Sequence, residues 1–102
     1  MDNISQKIKD QINFGNEMIN KSIKTNVEFK NYREEIKEWS NRNEIIINEY
    51  FGKNNQYIKK YKIKKTGIKA LANLDARINL EKLIIKKTIE YIENIFYNIK
   101  EN

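Results

Sequence analysis

Between Tyr50 and Leu74 the chain carries seven lysines (Lys53, Lys59, Lys60, Lys62, Lys64, Lys65 and Lys69) and no acidic residue. The whole protein has a net charge of +6 over 102 residues, and both flanking stretches are close to neutral, so this quarter of the chain holds the entire excess. Tyr50, Phe51, Tyr57 and Tyr61 interleave with the lysines. Lysine attracts anions over long range, while a tyrosine offers a face for stacking and a hydroxyl for hydrogen bonding. Gly52 and Gly67 bracket the block with backbone that can approach a phosphate closely. The combination suits an anionic ligand with an aromatic ring, either a nucleotide or a nucleic acid. In that reading Lys59, Lys60, Lys62, Lys64 and Lys65 hold phosphates, and Tyr57 or Tyr61 stacks a base. The same spacing also fits a bland alternative. Tyr57 and Tyr61 lie four residues apart, so they could form the buried edge of a short helix whose lysines are its solvated side.

Catalysis finds little footing. The chain has neither histidine nor cysteine, which removes the commonest general base, the usual nucleophile pairs, disulfides, and most zinc and iron ligand sets. Glu34, Glu35 and Glu38 cluster, but Arg33, Lys37 and Arg42 lie among them at salt-bridge spacing. A solvated helix face explains them better than a cation site. A Walker-type glycine-rich loop is absent. The expectation is a binding protein, not an enzyme, with no catalytic residue, no metal and no cofactor. Only three arginines are present, Arg33, Arg42 and Arg77. Arginine is the usual reader of guanine, so a sequence-specific DNA reader is disfavoured.

The elements that must carry these residues are helical. Proline is absent, and apolar positions recur at helical spacing nearly everywhere. Ile, Lys and Asn fill about half the chain, partly a mark of A/T-rich codons. Ile4, Ile8, Ile12, Ile19 and Ile23 outline a first helix, with Asp2 or Asn3 as its N-cap and Gly15 as a tolerated interruption. Thr25-Asn26-Val27-Glu28 fits a capping box that opens a second helix. Phe29, Tyr32, Ile36, Trp39, Ile46 and Tyr50 then follow a heptad rhythm. Asn43 falls in that seam, where an Asn can fix register or oligomeric state; the favoured expectation is that it faces solvent or a loop, and Ser40 to Asn43 could divide the helix in two. Gly52 stands where a C-cap glycine belongs. A short third helix is expected from about Asn55 through Tyr57, Ile58 and Tyr61 to the lysines around Lys65. A last helix of about 30 residues follows the stripe from Ile68 through Leu71, Leu74, Ile78, Ile85, Ile89, Ile92 and Phe96 to Ile99. Its second apolar edge at Leu80, Leu83 and Ile84 calls for a partner or a second copy. The fold class is all-α: a single domain over residues 1–102, an elongated bundle of three to four helices with a long C-terminal helix, expected to form a homo-oligomer.

From Trp39 to Tyr61 the chain reads Trp-x10-Tyr-Phe-Gly-x4-Tyr-x3-Tyr. A tryptophan-bearing helix that ends in an aromatic-Phe-Gly corner and leads into a short aromatic helix resembles helical segments attached to bacterial anti-phage proteins of the abortive-infection and TIR nucleotide-signalling type. The likeness covers about 25 residues and assigns no role to any of them. It implies a phage or mobile-element protein that engages host immune signalling. Joined to the basic block, it makes the leading expectation a sponge that sequesters an anionic second messenger. A different class of reading has Trp39, Leu80 and Ile84 dock on a host protein, as an inhibitor of a defence enzyme. A third is non-specific binding of single-stranded nucleic acid. The longest aliphatic runs are three residues, and no secretion signal is visible at the N-terminus. The expected location is the cytoplasm, without membrane partners.

Overall fold

Three long helices account for most of the chain: α1 at Asn3–Ile19, α2 at Asn26–Phe51 and α3 at Leu74–Glu101. A computed structural model describes residues 3–52, 55–58, 61 and 73–101. Among these no strand occurs, and residues 56–58 and 61 add a further helical segment. The fold is all-α, with a long C-terminal helix. Its principal extents of 44 × 24 × 18 Å make it elongated, and its radius of gyration of 14.3 Å exceeds the roughly 13 Å of a compact chain this size. No described helix is long and apolar enough to cross a membrane.

Local chemistry sets the helix ends. Thr25 caps α2 as its sequence predicts, its hydroxyl accepting from the Glu28 amide at 3.1 Å. At the other end Gly52 has φ 87° and ψ 166°, a conformation open essentially to glycine alone, and its amide closes on the Asn48 carbonyl at 2.9 Å. Between these caps α2 is one unbroken helix of 26 residues, so Ser40 to Asn43 do not divide it. Asn55 caps the next helical segment, its side-chain oxygen accepting from the Ile58 amide at 2.9 Å. Asn73 does the same for α3, accepting from the Ala76 amide at 2.7 Å. The last helix therefore starts at Leu74, not at Ile68, and runs 28 residues. Residues 68–72, and the candidate cap Asp2, lie outside the described residues, while Asn3 is itself helical.

The heptad expected along α2 drifts. Phe29, Tyr32 and Trp39 are buried, but Tyr50 is exposed and Ile47 takes the interior place. Along the helix the buried positions pass from Phe29, Tyr32 and Trp39 to Ser40, Asn43 and Ile47. α1 runs antiparallel to α2, as Lys7–Glu49 at one end and Lys21–Glu35 at the other show. Phe29 meets Arg77 and Ile47 meets Ile95, so α3 runs parallel to α2. α1 packs along both long helices, whereas α2 and α3 touch over much less of their length.

Gly15 explains how α1 comes so close. A β-carbon there would lie 2.8 Å from Ile89 Cδ1 and 2.8 Å from Trp39 Cζ2. The glycine is thus favoured by the packing and not merely tolerated, because any β-carbon there would force Ile89 and Trp39 to shift. Around it Ile8, Met18, Trp39, Ile85, Ile89 and Ile92 form the main core.

Candidate functional site

Where α2 and α3 diverge they leave a groove of about 660 Å³, within the size range of small-molecule sites. Phe29, Ile36, Trp39, Ile84 and Ile85 form its apolar surface, and Lys30, Arg33, Lys37 and Arg77 supply cations. Helical spacing puts Phe29, Arg33, Ile36, Lys37 and Ser40 on one face of α2. On α3 it aligns Arg77, Glu81, Ile84, Ile85 and Thr88. The parallel course of the two helices brings these faces together in register.

Two of the three arginines converge on one ring. Arg77 Cζ lies 4.8 Å from the centre of the Phe29 ring and Arg33 Cζ lies 6.0 Å from it, both within reach of the negative face of the ring. Arg33 Nε stands 3.6 Å from Glu81 Oε1, a loose ion pair and not a hydrogen bond. Glu81 is only 5% exposed. Burial pushes its carboxyl above the ordinary glutamate value, and the positive charges of Arg33 and Arg77 only partly hold it down. Nearby, the Tyr32 hydroxyl donates to the Met18 carbonyl at 2.8 Å. Burial, with the charges of Glu81 and Glu35, pushes that phenol up to about 12. Glu34 and Glu38 are exposed, as a solvated helix face requires, while Glu35 pairs with Lys21 of the α1–α2 turn and Arg33 reaches across to α3. Among the described residues no three acidic groups are placed to hold a metal ion.

Behind the groove lies a buried polar chain. The Trp39 indole donates to the Gln11 carbonyl at 2.8 Å, and the Gln11 carboxamide donates in return to the Trp39 carbonyl at 3.2 Å. The same carboxamide donates to Asn43 Oδ1 at 2.9 Å, and Asn43 Nδ2 donates to the Tyr61 hydroxyl at 3.2 Å. The Tyr61 hydroxyl donates to the Ser40 carbonyl at 3.1 Å and lies 2.7 Å from Ser40 Oγ. Asn43 therefore does not face solvent or a loop. Its carboxamide has one partner on each side inside the protein, which repays the cost of burying it.

These positions change the sequence-based site. Tyr61 is 1% exposed and its hydroxyl is engaged with Ser40 and Asn43, so it anchors the chain to the bundle and offers no face to a base. Burial raises its hydroxyl above the usual tyrosine value, against the opposing effect of its bonds from Ser40 and Asn43. Tyr57 is half-buried, its ring 4.3 Å from that of Phe51 and its carbonyl accepting from the Tyr91 hydroxyl at 2.8 Å. Both tyrosines thus follow the buried-edge reading. Lys59, Lys60, Lys62, Lys64 and Lys65 lie outside the described residues. Trp39 is 1% exposed and is a core residue, not an outward docking residue, since its ring fills the space beside Gly15. Leu80 and Ile84 are half-buried, and Ile84 lies on the groove wall.

The groove itself was missed because its two walls lie some 50 residues apart in sequence. The available signal was the Arg77–Glu81 pair, spaced i and i+4, inside an otherwise apolar stripe. No family model, curated protein or solved structure matches the chain.

Proposed function

We propose that this chain is a non-catalytic binding protein that holds an anionic ligand with a flat apolar portion, a nucleotide, in the groove between α2 and α3. The convergence of Arg33 and Arg77 over the buried Phe29 ring carries this reading. Guanidinium groups bind phosphate through two parallel donors, and the adjoining apolar wall suits a base. The lysine-rich stretch adds long-range attraction that raises the rate of encounter. Absence of histidine and cysteine from the sequence supports sequestration over turnover, and the likeness to anti-phage segments makes a second-messenger sponge its biological form.

Isothermal titration of the full chain with ADP, ADP-ribose and cyclic dinucleotides at low salt tests the proposal. Binding to at least one is expected, weakened about tenfold or more by Arg77→Ala. Lack of binding to every member, or binding indifferent to both Arg33→Ala and Arg77→Ala, would overturn it. A second reading draws on Leu83, which is 47% exposed beside the groove residue Ile84. That apolar edge suits a protein partner, in which case Ile84→Asp removes activity while Arg77→Ala leaves it intact.

A further inference from the structure

We infer that Glu81 makes the groove select nucleotides with free ribose hydroxyls over bare phosphates. The inference rests on the nucleotide reading above and adds to it the part of the ligand that is recognised. Three observations meet at this residue. Its side chain is 6% exposed, yet it lines the groove. Arg33 at 3.6 Å is its ion-pair partner, too distant for a hydrogen bond. Its neutralising charges, Arg33 and Arg77, are the same cations that a phosphate would recruit.

The chemistry follows from that overlap. A carboxylate has about four acceptor positions, and a buried one is costly unless donors fill them. When an anion docks on Arg33 and Arg77 it competes with Glu81 for their charge and brings a second negative group into the same low-dielectric groove. Inorganic phosphate and pyrophosphate give nothing back. A ribose diol offers two adjacent hydroxyl donors that can fill both carboxylate oxygens as the arginines turn to the phosphate. The groove then discriminates by leaving Glu81 unsatisfied with the wrong ligand, the stronger of the two ways a polar site can reject an analogue.

The test is a titration of the full chain at neutral pH and low salt with ADP, 2′,3′-dideoxy-ADP and pyrophosphate, repeated on Glu81→Gln, with folding checked by circular dichroism. The wild-type chain is expected to prefer ADP over the dideoxy analogue by about tenfold or more. In Glu81→Gln that preference should fall to about threefold or less, while pyrophosphate binds more tightly. Equal wild-type affinity for ADP and its dideoxy analogue overturns the role of Glu81 and leaves the anion groove standing. A preference that persists in Glu81→Gln also overturns it. Failure of all three ligands to bind removes the nucleotide reading, and this inference with it.

Discussion

The two sides of α2 are built to opposite standards. Toward α1 the helix is closed: Gly15 lets the backbones approach until the indole of Trp39 touches the neighbouring turn, and Gln11, Asn43, Ser40 and Tyr61 satisfy one another in an unbroken chain. Toward α3 the same helix leaves about 660 Å³ unfilled and buries a carboxylate against a loose ion pair. A polar group on the closed side has fixed partners and holds the helices in register. A polar group on the open side has partners that can be drawn away, which suits recognition and not stability.

Substitutions can break or sharpen this contrast. The largest effect is expected from Trp39→Ala, which removes the ring filling the closed side and its bond to the Gln11 carbonyl. It should cost about 3–5 kcal/mol in denaturant unfolding, a large share of the stability of a chain this size. Asn43→Ala comes next, at about 1–3 kcal/mol, because Gln11 and Tyr61 each lose a buried partner. Gly15→Ala is a finer test, since on an exposed helix it would stabilise by about 1 kcal/mol. Here the clash with Trp39 and Ile89 should reverse the sign and lower the thermal midpoint, overpacking costing about 1–3 kcal/mol.

The smallest effect belongs to the open side. Glu81→Gln should be neutral or stabilising by up to about 1 kcal/mol near pH 7, because burial outweighs the ion pair in setting the carboxyl's affinity for protons. The folded state holds that proton more tightly than the unfolded state. Wild-type stability therefore falls as pH rises from the ordinary glutamate range through the raised folded value. Thermal melts of the two proteins across pH 4 to 8 should show the variant's advantage at neutral pH shrinking as pH drops. A variant that is several kcal/mol less stable at pH 7 would place Glu81 among the fixed polar groups and erase the contrast.

Much of the scaffold was legible from the residues. Thr25 and Gly52 marked the ends of α2 because caps are local chemistry, and the stripes of Ile8 and of Ile78, Ile85, Ile89 and Ile92 identified helices because burial imposes the 3.6-residue period. Asn43 was misread because a polar residue in an apolar seam is silent about its partners, which here lie 32 residues upstream and 18 downstream. Gly15 was misread for a related reason: helix propensity is visible locally, but the proximity of Ile89 and Trp39 is not. The groove proposed as the site was the least legible part. Charge counting points to the lysine block, whose lysines lie outside the described residues, and is silent on the arginine–phenylalanine–glutamate cluster, which is assembled only when α2 and α3 align in parallel.

Trp39 is the only tryptophan in the chain, and its position gives the protein a built-in optical reporter. Clasped between Gly15 and Ile89, with its indole N–H bonded to a carbonyl, the ring should emit at short wavelength in the native state and shift to the red on unfolding. Its edge also forms part of the groove floor. A base resting there should quench the emission without the red shift. One fluorescence trace can then separate occupancy of the open side from loss of the closed one, with no label attached.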